Sequence, residues 1–176
     1  MTKLPLTLTQ ETLADATAID RLHQRTFGPG RFARTAFRIR EQAPHDLALS
    51  FTAYISSMMV GSVRLTPIAI GPTPALLLGP LTVEPPFRSV GIGAQLMHVC
   101  LEAAAAAGHT LVLLVGDEPY YRRFGFKPTP EGMVTLPGPV DPARLLVAEL
   151  TPGAFEGVSG CTRGNASPAP DQHQSV

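Results

Sequence analysis

Residues 76–107, LLLGPLTVEPPFRSVGIGAQLMHVCLEAAAAA, decide how this chain folds. The apolar run Leu76–Val83 reads as a buried strand. A short connection with Pro85 and Pro86 follows, and Arg88-Ser89-Val90-Gly91-Ile92-Gly93-Ala94 opens a long apolar helix. A strand that feeds a glycine-containing turn at a helix start leaves several backbone N–H groups unpaired and aimed one way. The helix dipole favours an anion there. The stretch therefore predicts a site for a phosphate-bearing small molecule.

Other phosphate loops fit less well. A Walker loop needs Lys-Ser/Thr after its last glycine, where this chain has Ala94-Gln95. A dinucleotide fingerprint needs a third glycine where Leu96 stands. What remains is a short pyrophosphate loop, or a turn that Gly91 and Gly93 merely shape. Gly79-Pro80 bears on that choice. Proline cannot donate to a ladder, and glycine inside a strand often marks a bulge. A bulge here splays Leu76–Val83 from the next strand, Thr110–Val115, and opens a slot between them. The helix Gly91–Ala107 places Ile92, Leu96, Val99, Ala103 and Ala107 at helical spacing, with Gly108 as its stop.

Outward from this centre, Leu4–Thr9 alternates as a half-solvated strand. Thr12–Phe27 reads as a helix with Leu13, Ala16, Ala18, Ile19, Leu22 and His23 at three- and four-residue spacings, broken by Gly28-Pro29-Gly30. Arg31–Glu41 is a shorter helix with Phe32, Ala36 and Ile39 on one side. Ala48–Ser56 and Met59–Ile70 form a hairpin around Ser57-Met58, and Gly71–Pro74 is a loop. Thr110–Val115 is apolar throughout, as in a parallel strand covered on both faces. Asp117 caps a short helix with Pro119 in its first turn, which Gly125 ends. Phe126, Met133–Leu136 and Leu145–Leu150 supply late strands. The expected fold is α/β: a mixed central sheet with antiparallel N-terminal strands and a splayed parallel pair, flanked by helices. Residues 1–156 form one domain, and 157–176, rich in Gly, Ser, Pro and Gln, form a flexible tail.

Composition limits the partners. The 176 residues are 44% apolar and 16% charged, with fourteen basic and fourteen acidic side chains. A balanced charge argues against nucleic acid or a membrane surface held by bulk electrostatics. Two cysteines, Cys100 and Cys161, make no disulfide framework. No segment approaches the ~18 apolar residues of a span, and the first residues lack a signal-peptide core. A cytoplasmic protein is expected. The histidines, His23, His45, His98, His109 and His173, have no metal-ligand spacing.

Arg88-x-x-Gly91-x-Gly93, followed about thirty residues later by Tyr121-x-x-x-Gly125-Phe126, resembles the GNAT superfamily of acyl-CoA-dependent N-acyltransferases over roughly residues 4–150. Leu78–Val83 and Val115–Tyr121 resemble its YhbS-like branch. The resemblance implies acetyl-CoA as co-substrate. The backbones of Leu81, Thr82 and Val83 would lie along pantetheine. Arg88, Ser89, Val90, Gly91, Ile92, Gly93 and Ala94 would hold pyrophosphate. Leu81 N–H would polarise the thioester carbonyl. Tyr121 would also contact the cofactor and would protonate the departing thiolate, since a phenol's pKa of ~10 lies above a thiol's; otherwise it is a half-buried packing residue. Tyr120 lacks the matching spacing to Gly125-Phe126.

One position departs from the pattern. Many members carry a base glutamate on the bulged strand, where this chain has Leu77. Glu84, at the strand end, is a weak substitute, or a solvated connector. The missing acid supports an alternative, a non-catalytic CoA-binding sensor or interaction module. Six arginines, Arg21, Arg25, Arg31, Arg34, Arg38 and Arg40, either cover solvated helix faces or point towards an acidic acceptor. The acceptor itself is open among small-molecule and peptide amines. So is the choice between monomer and homodimer, with Met133–Leu136 and Leu145–Leu150 as possible edges.

Overall fold

The computed structural model of the chain describes residues 5–30 and 34–166. Its centre is the strand β4 (Thr73–Val83), within which successive leucines face opposite sides of the sheet. Leu76 and Leu78 join Leu65, Leu96, Cys100 and Val112 in one core, while Leu77 joins Ile39, Ile68, Leu113 and Val147 in the other. A strand buried on both faces has no solvated side, hence the unbroken apolar run. β4 lies antiparallel to β3 (Met58–Ile70) and parallel to β5 (Leu111–Val115). The helix α3 (Ile92–Ala106) makes the crossover between β4 and β5. It buries Ile92, Leu96, Met97, Cys100 and Ala104.

The remaining strands are β1 (Leu6–Gln10), β2 (Phe51–Ile55), β6 (Lys127–Pro128), β7 (Val134–Thr135), β8 (Leu145–Glu149) and β9 (Gly160–Gly164). The main sheet runs β1-β2-β3-β4-β5-β8-β6. β9 pairs with the far end of β3, and β7 pairs parallel with β9. The other helices are α1 (Ala16–Phe27), α2 (Thr35–Arg40) and α4 (Glu118–Tyr121).

The parallel pair parts as the glycine and proline predict. β4 and β5 are in register at Leu76–Val112 and Leu77–Leu113 and no further. On the other edge of β4, Leu78 faces Leu65 and Leu81 faces Val63, so Gly79 and Pro80 together oppose the single residue Arg64. Gly79 has φ +131°, a conformation that disfavours a side chain. Pro80 has no N–H to give to a ladder. The bulge bends β4 away, and α3 starts beside the resulting cleft.

Several boundaries differ from expectation. Residues 1–4, 31–33 and 167–176 lie outside the described residues. The second helix is described from Thr35, with Arg34 extended before it. Leu13 is 82% exposed, because it sits in a 3-10 turn (Leu13–Asp15) whose tighter winding carries it off the buried face of α1. β2 starts at Phe51, since Asp46 accepts from Ala48 N–H (2.9 Å) and holds Leu47–Leu49 in a 3-10 turn. The hairpin turns at Ser56-Ser57, with Ser56 at φ +54°, one residue earlier than expected. Thr73 and Pro74 already belong to β4. His98 is exposed, its ring edge-on to Phe124.

The expected tail begins too early at 157. Residues 160–164 form a strand held by backbone bonds, among them Gly71 N–H to Cys161 O (2.9 Å) and Asn165 N–H to Pro67 O (3.0 Å). Arg163 Nη1 also donates to Gly71 O (2.8 Å). Such a ladder asks little of side chains, so composition hides it. β8 lies between β5 and β6 and offers no open edge, whereas β7 pairs with β9 alone among the described residues and keeps one edge open. No helix among the described residues is long and apolar enough to cross a membrane.

Candidate active site

The parted strands create two cavities that meet at Leu81. The first, about 720 Å³, lies at the start of α3 and is bounded by Val83, Arg88, Ser89, Gly91, Gly93 and Ala94. Gly91 is the helix N-cap, at φ +88°, and no side chain caps the helix. The first amides of α3 are therefore left for a ligand. Ser89 is also left-handed, at φ +68°. Left-handed residues next to a helix start turn consecutive N–H groups into a concave anion cradle. Gly93 is necessary for a different reason: a Cβ there would stand 2.7 Å from the Tyr120 hydroxyl.

The edge of β4 supplies more backbone. Glu84 N–H donates to Val60 O (2.8 Å), which turns the even-numbered groups towards β3. By strand alternation Leu81 and Val83 direct theirs into the cleft. Arg88 Nε reaches Val83 O at 3.3 Å. A ligand backbone can therefore add to this edge as a further strand would. Thr82 is buried with its side chain away from both cavities, and Val90 is 57% exposed and lines neither.

The second cavity, about 740 Å³, opens on the other side of Leu81. Tyr121 belongs here rather than to the first cavity. It packs against Gly116, where any side chain would collide with its ring, and stands edge-on to Tyr120 (4.9 Å between centroids) and Phe126 (6.1 Å). Burial pushes its phenol up to about 12, with Tyr120 and Asp117 adding to the shift and Arg144 opposing it. The hydroxyl therefore keeps its proton across the neutral range.

Glu84 takes a different place. Its carboxylate is ion-paired with Arg25 and lines neither cavity. Asp117 sits at the N-cap position of α4 without capping through its side chain; Oδ1 instead faces Arg144 Nε at 3.4 Å. Leu77, where an acid was sought, is fully buried in the second core.

Several site residues escape a linear reading. Tyr120 and Arg123 line the first cavity, with the Arg123 guanidinium 4.6 Å over the Tyr120 ring. Their three-residue spacing across one helical turn is the signal that joins them. The second cavity gathers Arg34 and Arg40 from the two ends of α2 with His45, Arg64 and Arg144 from elsewhere in the chain. Glu11 lies beneath it, 3% exposed, accepting from His45 Nε2 (2.8 Å) and Arg64 Nη2 (2.7 Å). Burial raises the Glu11 pKa, but the hydrogen bonds from His45 and Arg64 outweigh it and hold the carboxyl below its ordinary value.

These features match known proteins. Residues 47–128 fit the acetyltransferase (GNAT) domain family. The chain is 28% identical over 148 residues to the uncharacterized N-acetyltransferase YhbS of Escherichia coli strain K12, covering 83% of this chain and 88% of that one. The crystal structure of E. coli YhbS in complex with CoA superimposes with TM-score 0.78 at 24% identity, covering 94% of this chain and 92% of that one. A GNAT family acetyltransferase from Brucella melitensis in complex with acetyl-CoA gives TM-score 0.58 at 25% identity, covering 88% and 100%. The uncapped glycine turn, the parted parallel strands and the tyrosine beside them thus belong to a chain that is similar to GNAT acetyltransferases in sequence over residues 47–128 and in fold over most of its length.

Proposed function

We propose that the chain is an acetyl-CoA-dependent N-acetyltransferase in which a primary amine attacks the thioester directly. The single observation that carries this is the position of Leu81. Its backbone edge is shared by the anion cradle on one side and the tyrosine-lined cavity on the other. The cradle fits the co-substrate on its own terms: uncapped amides at the start of α3, left-handed Ser89 and Gly91, and a side-chain-free Gly93. The backbones of Leu81 and Val83 would align the amide-bearing arm.

When bound, acetyl-CoA supplies an activated acyl carbon and a thiolate leaving group. Leu81 N–H would donate to the carbonyl oxygen as negative charge builds there. The second cavity holds the amine against the same carbon, and this positioning supplies much of the rate. The C–N bond forms, the C–S bond breaks, and Tyr121 gives its hydroxyl proton to the departing sulfur. The hydroxyl is protonated across the neutral range, so the proton is in place as the sulfur departs. The amine loses its own proton before attack. With Glu84 occupied by Arg25 and Asp117 facing Arg144, we assign the base to the other acids and imidazoles around the second cavity: Asp20, His23, Glu41, His45 or Asp141.

The test is acetyl-CoA titration by calorimetry, followed by thiol release measured across an amine panel. The expected result is micromolar binding and turnover with at least one amine class. Binding without transfer to any amine would leave a CoA-binding module, and no binding would end the reading.

A further inference from the structure

Of the arginines around the second cavity, one has nothing to pair with. Arg64 is held by Glu11 through Nε (3.1 Å) and Nη2 (2.7 Å). Arg144 faces Asp117, and the Arg34 guanidinium lies 4.8 Å over the Phe27 ring. Arg40, the last residue of α2, makes no hydrogen bond and no ion pair among the described residues, and its Nε is buried without a partner. The charges acting on it are the like charges of Arg34 and Arg64. Burial, reinforced by both of them, lowers its pKa to about 10.

Its location is specific. The Arg40 Nη2 atom lies 2.6 Å from where a Cβ of Gly79 would stand, so the guanidinium rests on the bulge itself. Leu81, whose N–H would meet the acyl carbonyl, is two strand residues on, about 6–7 Å along β4. Arg40 is half-buried, with its Nε out of solvent; such a cation without a partner is costly, and a guanidinium's planar fork matches a carboxylate. Four acids line the cavity, Asp20, Glu41, Asp117 and Asp141, and none of them makes an ion pair with Arg40 among the described residues; Asp117 faces Arg144 instead.

Resting on the transferase reading above, we propose that the acceptor is a carboxylated amine, a free amino acid or a short relative, held through its carboxylate by Arg40. The anion arrives with the substrate and completes the pair that the fold leaves open. This places the amine at the Leu81 end of the cavity and excludes polyamines as preferred acceptors.

The experiment compares matched pairs on the full-length enzyme: amino acids against their carboxamides, with ethanolamine phosphate as an amine bearing a different anion. The expected kcat/KM ratio is roughly a hundredfold in favour of the carboxylate, expressed mainly in KM. Arg40→Met should erase that ratio while acetyl-CoA affinity by calorimetry stays within about threefold, and Arg40→Lys should restore part of it. The wild-type comparison stands even if the variants fold poorly. Carboxamides used as well as carboxylates overturn the inference alone. So does a preference for the phosphate-bearing amine, or faster transfer from succinyl-CoA without regard to the acceptor, which would put the anion on the donor. Failure to bind acetyl-CoA overturns the transferase reading and this inference together.

Discussion

The two cavities on either side of Leu81 are built in different ways. The cradle side is drawn largely from one stretch, Leu81 to Ala94, with Tyr120 and Arg123 added from a single helical turn. The acceptor side draws Arg40 from α2, Arg64 from β3, Gly79 from β4, Tyr121 from α4 and Arg144 from a late turn. In the reading proposed above, the first would recognise with backbone, which any sequence of suitable conformation provides. The second would recognise with side chains whose positions depend on how the elements pack. A backbone site is therefore expected to break when a side chain intrudes, and a side-chain site when one is removed.

The largest effect should follow intrusion. Gly93→Val drives a branched side chain into the Tyr120 hydroxyl and the anion cradle, and should weaken acetyl-CoA binding at least a hundredfold, about 2.7 kcal/mol by calorimetry. Normal affinity would remove the cradle from its assigned role.

Next comes removal on the opposite side. Tyr121→Phe should lower kcat on the order of tenfold to a thousandfold with little change in KM for acetyl-CoA. The neighbouring Tyr120→Phe should do the reverse, raising that KM about two- to tenfold with kcat nearly intact. Matching profiles for the two variants would erase the division between the cavities. The pH profile sharpens the point. A phenol raised to about 12 stays protonated below that, so wild-type kcat should show no basic limb from Tyr121 up to about pH 10.

The acceptor side also has a support whose loss should appear as stability. Glu11→Gln leaves Arg64 and His45 without their carboxylate and should cost about 3 kcal/mol in chemical denaturation. The folded carboxyl titrates below its ordinary value, so the native state binds fewer protons than the unfolded one in that window. Its contribution is complete above about pH 4.5 and drains away as pH falls further. The stability loss of wild type between pH 5 and pH 3 should be visibly smaller in the variant.

The smallest effect belongs to neither cavity. Glu84→Gln breaks an ion pair with Arg25, whose side chain is 53% exposed, and should change stability by less than about 1 kcal/mol and kcat by less than about twofold. A collapse of kcat would return Glu84 to the chemistry and refute its placement outside the cleft.

The cradle was legible because its cause is local. Gly91 and Gly93 stand where conformation and close approach demand them, and the apolar period of α3 follows at once. The spacing to Gly125-Phe126 singles out Tyr121, while only the structure puts it in the lining of the second cavity and Tyr120 in that of the first. The arginines between 21 and 40 could not be sorted in the linear chain. Arg25 pairs with Glu84, Arg38 donates to Pro137 O, and Arg40 reaches the bulge. β9 escaped notice because backbone pairing, not side-chain pattern, holds it.

The chain's own order of residues determined a β-bulge at Gly79-Pro80, a strand buried on both faces and a helix start with unpaired amides. Each follows from dihedral freedom, a missing donor or apolar period within a few neighbouring positions. Packing alone decided which charges meet. Glu11 reached Arg64 across 53 residues, Arg25 captured Glu84 across 59, and Arg40 was left lining the cleft without a counter-charge among the described residues. Electrostatic pairing depends on distance in space, and no spacing along the chain encodes it.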